Sequence, residues 1–223
     1  MALRNISGET CHGETMNAQV IPPDGGRLDL GAGSFVDYSP GFINAEEADG
    51  LFRGLVHDVE WEQHYVDRGR TRPQPRLVKW FGDFAYSYSG ITHDRAAWPP
   101  RLLDLRKRIE ETVFGAALCQ YQGVLLNYYR NGRDSVGFHA DDEPMIRRDS
   151  PIASVSLGDE RLFLLRSKHG RDSADEEIRV VLRHGSLIIM GGTMQRHWLH
   201  SIPKRPNREG GRVNLTFREY ESA

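Results

Sequence analysis

The sequence Arg212-Val213-Asn214-Leu215-Thr216-Phe217-Arg218 alternates polar and apolar residues from end to end. Successive side chains of a β-strand point to opposite faces, so this segment predicts a strand with one polar and one apolar face. An ordinary surface strand would show the same alternation. Two arginines on the polar face favour another arrangement, because the guanidinium fork pairs with carboxylates and a buried arginine implies an anionic ligand. The segment therefore predicts a barrel with a polar interior that binds an anion.

Five further short runs of β-branched and aromatic residues precede this strand. Turn residues such as Asn131-Gly132 and Gly158-Asp159 separate them, and no helical pattern lies between them. Six strands at short spacing without intervening helices favour an antiparallel sandwich, barrel or jelly roll. The five runs are Gln122–Tyr129, Ile152–Leu157, Arg161–Leu165, Ile178–Leu182 and Ser186–Met190.

Two helical patterns come earlier in the chain. The first is predicted over residues 44–59, where Asn44 is the N-cap and Glu47 its capping-box partner. The second follows Pro99-Pro100 and ends at Gly115, which fits the preference for proline at the start and glycine just past the end of a helix. We expect both helices to brace one sheet from outside.

Length and composition exclude several classes of protein. The 223 residues suit a single domain, expected over residues 35–223 after a polar, glycine-rich and flexible arm at residues 1–34. Only Cys11 and Cys119 are present, which predicts a reducing, intracellular compartment. No apolar stretch is long enough for a membrane span, and no secretory signal is recognisable. The 29 basic and 31 acidic residues give a formal net charge of -2, which by itself indicates no polyanionic partner.

A metal site is predicted from the spacing of histidines and carboxylates. His-x-Asp/Glu pairs occur at His12-x-Glu14 and at His139-x-Asp141, and chance alone explains such a pair. The first lies in the arm, where nothing would orient a third ligand. In an extended segment His139 and Asp141 would point to the same face and could bind one ion. With a distant histidine, either His197 or His200, they would complete the 2-His-1-carboxylate set of non-haem Fe(II) oxygenases. The alternative is that His139 is an ordinary polar loop residue.

Four motifs in order resemble the AlkB family of Fe(II)/2-oxoglutarate dioxygenases, and within it the animal DNA/RNA-repair homologues. The motifs are Leu126-Asn127-Tyr128-Tyr129, His139-Ala140-Asp141-Asp142-Glu143-Pro144, His197-Trp198-Leu199-His200-Ser201 and the strand at 212–218. The similarity extends to Gln74-Pro75-Arg76-Leu77, Trp80-Phe81-Gly82 and Tyr86-Ser87-Tyr88-Ser89-Gly90. It therefore covers roughly residues 74–218.

The resemblance implies a fold and a set of cofactors. The fold would be a double-stranded β-helix, or jelly roll, with a helical brace and nucleotide-recognition region at 35–120 and the catalytic jelly roll at 121–223. The cofactors would be Fe(II), 2-oxoglutarate as co-substrate and O2. The implied iron ligands, which are also the catalytic residues, are His139, Asp141 and His200. The implied 2-oxoglutarate pocket consists of Asn127, Tyr129, Arg212, Asn214, Thr216 and Arg218.

The resemblance also implies a reaction and a substrate. The reaction would be oxidative demethylation of 1-methyladenine and 3-methylcytosine in DNA or RNA, releasing formaldehyde, succinate and CO2. Such a base must be extruded from its stack before an enclosed site can reach it. Tyr88 would stack on the base with Tyr86 beside it, a carboxylate would accept from the exocyclic amine, and Arg76 would approach Asp142. The implied substrate-binding residues are Arg76, Tyr86, Tyr88, Asp142 and Glu143.

Two basic segments support a nucleic-acid partner despite the near-neutral net charge. Residues 68–79 contain five basic residues and no acid, and residues 195–218 contain six basic residues and one acid. Both would flank the mouth of the cavity and contact phosphates. We expect a monomer that binds alkylated DNA or RNA and no membrane, in the cytoplasm of a bacterium or the nucleus or cytoplasm of a eukaryote.

Two other functions remain open from the sequence. The protein would be an Fe(II)/2-oxoglutarate hydroxylase of a protein, lipid or small molecule, which Tyr88, Glu143 and the basic segments argue against. Otherwise it would be a non-catalytic binding module or a zinc hydrolase on the same barrel, which leaves Arg212 and Arg218 unexplained.

Overall fold

Two antiparallel sheets form the body of the protein. The computed structural model describes residues 24–67, 71–88, 91–115, 120–168 and 177–221. The larger sheet has the strand order β1 (Gly26–Gly31), β2 (Ser34–Ser39), β13 (Ser186–Gly192), β10 (Ile152–Gly158), β15 (Arg212–Arg218), β8 (Gly123–Tyr129) and β5 (Leu77–Gly82). The smaller sheet has the order β12 (Ile178–Leu182), β11 (Arg161–Ser167), β14 (Trp198–Ile202) and β9 (Val136–His139). Two separate hairpins pair β3 (Tyr65–Asp67) with β4 (Thr71–Pro73), and β6 (Tyr86–Tyr88) with β7 (Ile91–His93).

The path of the chain from β8 to β15 confirms the predicted jelly roll. Apart from the consecutive pair β11 and β12, each strand from β8 onward lies in the opposite sheet from the one before it. This alternation places β8, β15, β10 and β13 in one wall and β9, β14, β11 and β12 in the other. It is the arrangement of a double-stranded β-helix, in which the two walls enclose a cavity.

The two predicted helices are confirmed, together with the signals that limit them. Helix α1 (Ala45–Asp58) begins after Asn44, whose side chain accepts a 3.0 Å hydrogen bond from the Glu47 N–H. Helix α2 (Pro100–Phe114) begins with a proline and ends at Gly115, where φ is +66°. A single turn, α3 (Met194–His197), lies between β13 and β14. Among the described residues, no helix combines the length and the apolar character needed to cross a membrane.

Strand β15 is buried on both faces, which explains its alternation. All seven of its side chains are buried. Val213, Leu215 and Phe217 pack in one apolar cluster with residues of α1 and α2, including Leu55 and Leu102. The polar residues of β15 therefore point away from the helices and into the space between the walls. A second apolar cluster, built from residues such as Val180 and Ile188, fills another part of that space.

Two predicted boundaries are corrected by the sheet. Residues 26–31, assigned to the flexible arm, form β1, which pairs with β2 at the edge of the larger sheet. Residues 1–23, including Cys11, lie outside the described residues, as does Cys119. The division at residue 121 does not separate a brace from the jelly roll, because β2 and β5 belong to the same sheet as β8. Short edge strands with exposed side chains lack the apolar alternation by which the other strands were recognised.

We predict that Gly123→Ala destabilises the fold by about 1–3 kcal/mol. Gly123 and Gly82 face each other across β8 and β5, and a Cβ on Gly123 would overlap the buried indole of Trp80. Gly50→Ala is the matched control, because Gly50 lies in α1 with open space around its Cα. Alanine there should stabilise the helix by about 0.5–1 kcal/mol. Urea denaturation gives both free energies of unfolding, and equal values would contradict this packing.

Candidate active site

Two histidines meet at the junction of β9 and β14. His139 ends β9 and lies directly opposite His200 of β14 in the ladder, with the ring centroids 4.2 Å apart. Asp141 follows two residues later, and its Oδ1 is 3.7 Å from His139 Nε2. The three residues each offer one ligand atom, and these atoms lie within 4.8 Å of one another. His197, the other histidine considered, ends α3 and does not belong to this group.

Asp141 is held in place on two sides. Its Oδ2 accepts hydrogen bonds from Arg218 Nη2 at 2.9 Å and Nε at 3.2 Å. Its backbone N–H donates to Gln195 Oε1 at 2.9 Å. Burial raises the pKa of Asp141, but Arg218, His200 and His139 outweigh it, so the pKa lies well below its usual value. The carboxylate is therefore ionised, with Oδ1 turned towards the histidines.

Both imidazoles can present a ring nitrogen to a metal. Burial and the neighbouring His139 lower the pKa of His200 to about 3, so His200 is neutral at neutral pH. His139 Nδ1 lies 2.9 Å from the carbonyl oxygen of Gly137, which can only accept, so Nδ1 carries the proton. In the neutral ring the lone pair then lies on Nε2, which faces Asp141. Two imidazoles and a carboxylate form the donor set that suits Fe(II).

A line of polar side chains runs along the inner face from this group towards Arg212. Asn214 accepts from Ser154 Oγ at 3.1 Å and from Arg212 Nη2 at 2.7 Å, and donates to Thr216 Oγ1 at 2.7 Å. Arg212 Nη2 also donates to Ser156 Oγ at 2.8 Å. These contacts follow from register, because Ser154 pairs with Thr216 and Ser156 with Asn214 across β10 and β15. The polar interior predicted from the alternation of β15 is therefore present.

Arg212 has donor capacity that the described residues do not use. It is fully buried, and neither its Nε nor its Nη1 has a hydrogen-bond partner in the described part of the chain. Its guanidinium lies 5.2 Å from the centroid of the Tyr129 ring. Burial lowers the pKa of Arg212 to about 10, which still leaves it charged at neutral pH. A buried cation with two unused donors fits a carboxylate, so the residues present suit a dicarboxylate such as 2-oxoglutarate together with a metal.

Most of the predicted site residues line one cavity, together with apolar residues that the sequence analysis missed. The apolar lining comes from both walls, for example Phe163 of β11 and Met190 of β13. Ser154 was also missed, although its position on the same face of β10 as Ser156 could have revealed it. Arg212 is not among the lining residues, but it donates a hydrogen bond to Asn214, which is. The predicted residues that line the cavity are Arg76, Asn127, Tyr129, His139, Asp141, His200, Asn214, Thr216 and Arg218.

Arg76 and Asp142 form no ion pair with each other among the described residues, and each has another partner. Arg76 is buried and donates from Nε to Asn127 Oδ1 at 2.8 Å. Asp142 is exposed, and its Oδ2 accepts from Lys168 Nζ at 3.1 Å. Lys168 also donates to the backbone oxygen of Gln195 at 2.8 Å. The acidic segment is thus tied to the β11 end and to α3, contacts that no local sequence pattern indicates.

Tyr86 of β6 belongs to the protein core. Tyr86 is completely buried, stacks on Trp80 at 4.6 Å between centroids, and meets Tyr220 edge to face. Its ring belongs to an aromatic core cluster and lies within electrostatic range of Asp141 and Glu143, so a place for Tyr86 beside the base stays a prediction. Tyr88 lies at the end of β6, and its side chain falls outside the described part of the structure.

Glu143 faces a second, larger cavity of about 570 Å³ that adjoins the first at Asp141. Its Oε2 is buried and has no hydrogen-bond partner among the described residues. Burial and the neighbouring Asp141 raise the pKa of Glu143. Basic residues from two regions of the chain, including Arg148 and Arg196, also line this cavity. The cavity thus combines an unused carboxyl oxygen with cations near its wall.

The two basic segments are less exposed than their composition suggests. In the first, Arg76 is buried and Lys79 donates to Glu62, while residues 68–70 lie outside the described part. In the second, Arg212 and Arg218 are buried in the interior, and Arg196 pairs with Asp149. Counting charges along the chain therefore overstates the basic surface that these segments offer.

Comparison with known proteins identifies the family. Residues 35–218 match the model of the 2OG-Fe(II) oxygenase superfamily. The chain is 41% identical over 186 residues to the alpha-ketoglutarate-dependent dioxygenase alkB homolog 3 of Bos taurus, covering 80% of this chain and 64% of that protein. It is 38% identical over 193 residues to the DNA oxidative demethylase ALKBH2 of Mus musculus, covering 82% of this chain and 79% of that protein.

A solved structure supports the fold independently. The chain from "The structure of OsALKBH1" superposes with a TM-score of 0.59 over 86% of this chain and 100% of that one, at 19% identity. At this identity the likeness concerns the fold alone. It agrees with the jelly roll described above. The chain belongs to the AlkB family of Fe(II)/2-oxoglutarate-dependent dioxygenases.

Proposed function

We propose that the protein oxidatively demethylates N-alkylated nucleobases, 1-methyladenine and 3-methylcytosine, in DNA or RNA. The observation that carries the proposal is the joining of two sites in one cavity. The His139–Asp141–His200 group lines this cavity. Asn214 lines it as well, and Asn214 accepts a hydrogen bond from Arg212. The relative named as a DNA oxidative demethylase supports the substrate class. The chain spans only 64% of the length of the bovine alkB homolog 3.

Fe(II) with 2-oxoglutarate and O2 would supply the oxidising power that removes an N-methyl carbon as formaldehyde, with succinate and CO2 as the other products. His139, Asp141 and His200 would hold the iron. Arg218 keeps Asp141 ionised and fixes one of its oxygens, so the other remains for the metal. The group is preorganised, because the ladder pairing fixes both histidines.

The remaining polar residues would bind and orient 2-oxoglutarate. Arg212 would pair with the distal carboxylate through the two donors that have no partner among the described residues. Tyr129 and Asn214 flank that guanidinium. Asn127, Thr216 and Arg218 line the cavity between Arg212 and the metal ligands, where they would contact the keto-acid end. The apolar lining would keep water from the reacting carbon.

The larger cavity would receive the extruded base. Glu143 would accept a hydrogen bond from its exocyclic amine, and the ring's positive charge would favour the ionised carboxylate against the burial that raises the pKa of Glu143. Tyr88 would stack on the base and Asp142 would lie at the rim. Tyr86 and Arg76 would act indirectly, by supporting β6 and by holding Asn127. We further propose a monomer in an intracellular compartment with alkylated DNA or RNA as its partner.

The reaction is tested by supplying Fe(II), 2-oxoglutarate and O2 with an oligonucleotide that carries one methylated base. We expect succinate and formaldehyde in equal amounts, dependent on the methylated base. His139→Ala and Asp141→Ala should reduce both products to the level without enzyme, because each removes a metal ligand. His57→Ala, an exposed histidine of α1, is the control and should retain wild-type turnover. Activity surviving in either ligand variant would refute the assignment, and turnover independent of the oligonucleotide would indicate another substrate.

The role of Arg212 is tested by Arg212→Lys. Lysine keeps the charge but loses the planar fork, so we expect the KM for 2-oxoglutarate to rise about 10- to 100-fold. Arg101→Lys, on the exposed side of α2, is the matched control. Circular dichroism verifies that the variant is folded. An unchanged KM in folded Arg212→Lys would show that the distal carboxylate binds elsewhere.

The role of Glu143 is tested by Glu143→Gln on 1-methyladenine. Loss of a charged acceptor should lower kcat/KM by about 10- to 100-fold, while 2-oxoglutarate binding stays unchanged. Glu111→Gln removes the same charge from an exposed position of α2 and serves as the control. Equal activity of the two variants would exclude Glu143 from base recognition.

A further inference from the structure

A second group of metal-ligand side chains lies outside the cavity. Glu62 and His64 precede β3, and His93 ends β7. Each offers one ligand atom, and the three atoms lie within 4.8 Å of one another. Glu62 Oε2 is 3.2 Å from His64 Nε2 and 3.7 Å from His93 Nδ1. The imidazole rings lie 4.7 Å apart at 74°, so they converge edge to face.

The two imidazole nitrogens that face Glu62 lie 3.2 and 3.7 Å from its Oε2, but in a geometry that forms no hydrogen bond. His64 Nε2 and His93 Nδ1 are both buried, and neither has a hydrogen-bond partner among the described residues. His93 is only 5% exposed. Buried polar atoms in native proteins almost always have partners, and one without them calls for an explanation such as a bound ion. Two such atoms directed at one carboxylate point to an ion shared by all three side chains.

The spacing and chemistry fit a divalent transition metal. Ligands about 2.0–2.2 Å from a tetrahedral ion are about 3.3 Å from one another, close to the two measured separations. Imidazole and carboxylate together suit Zn²⁺ and its neighbours in the transition series. Lys79 Nζ donates to Glu62 Oε1 at 2.8 Å, which orients the carboxylate and leaves Oε2 facing the histidines.

The group joins a segment that is hydrogen-bonded to β5 with the end of the separate β6–β7 hairpin. Backbone hydrogen bonds of 2.9 and 3.0 Å tie Glu62 to Val78 of β5, and His64 accepts one of 2.8 Å from Gln74. His93 pairs with Tyr86 across the β6–β7 hairpin. The β3–β4 and β6–β7 pairs each have only two strands, and such hairpins are marginally stable alone. A metal ion binding both would fasten them together.

We propose that Glu62, His64 and His93 form a second, structural metal site for a divalent transition ion such as Zn²⁺. The site is separate from the His139–Asp141–His200 group, since the two share no residue. Its ion joins the segment before β3 to the end of β7. It thereby sets the position of the hairpin that carries Tyr86 and Tyr88.

The number of Zn²⁺ ions bound by metal-free full-length protein tests the proposal. Titration against a chromophoric chelator should give one equivalent fewer for His64→Ala than for the wild type. His57→Ala, an exposed histidine variant, should bind as many as the wild type. The double variant His139→Ala/Asp141→Asn should also bind one Zn²⁺ fewer than the wild type. Adding His64→Ala to that double variant should remove one further Zn²⁺. Wild-type stoichiometry in His64→Ala would overturn the proposal.

A second variant and a second measurement keep the proposal testable if His64→Ala does not fold. Glu62→Gln keeps an acceptor for Lys79 and removes only the charged ligand. In the His139→Ala/Asp141→Asn background, Co²⁺ should give visible absorption bands from the second site, and Zn²⁺ should raise the melting temperature. Both effects should disappear with Glu62→Gln. If they persist in that variant, the second site does not exist as proposed.

Discussion

The burial of β15 on both faces is the constraint on which the rest of the structure depends. Helices α1 and α2 cover its apolar residues, so the polar residues can only face the interior. Buried polar groups need partners, and β10 provides them in register, through Ser154 and Ser156. At one end Arg218 pairs with Asp141, and at the other Arg212 keeps two donors without partners among the described residues. The interior is therefore complementary to an anion lying between the two arginines.

Much of this arrangement follows from local sequence patterns. Alternation gives β15, capping residues give α1, and proline and glycine limit α2, because each of these signals acts within a few residues. The His139-x-Asp141 pair gives two of the three metal ligands, and the family motifs add His200. Contacts between segments that are distant in the sequence could not be predicted from such local patterns. Gln195 with Asp141, Lys168 with Asp142 and the burial of Tyr86 all depend on how the walls meet. The edge strand β1 was not predicted from the sequence, because its side chains are largely exposed and show no apolar alternation.

The two histidine–carboxylate groups of the molecule share a design. In each, a cation holds one carboxylate oxygen and leaves the other facing the histidines: Arg218 does so for Asp141, and Lys79 for Glu62. Each also combines two residues that are separated by a single residue in the sequence with a histidine from a distant strand. In Glu62-x-His64 the order of acid and histidine is reversed, so a search for His-x-Asp/Glu passes over it. The surroundings differ, because the first group opens into the cavity and the second lies between hairpins.

The direct pairing of His139 with His200 also limits where the chain can tolerate insertions and deletions. Side chains of a strand alternate, so one added or deleted residue between Trp198 and His200 would turn His200 to the outer face of the wall. Connections outside the ladder, such as residues 204–210 between β14 and β15, carry no such requirement. Insertions and deletions among natural variants should therefore accumulate in those connections, and β9 and β14 should keep a constant length.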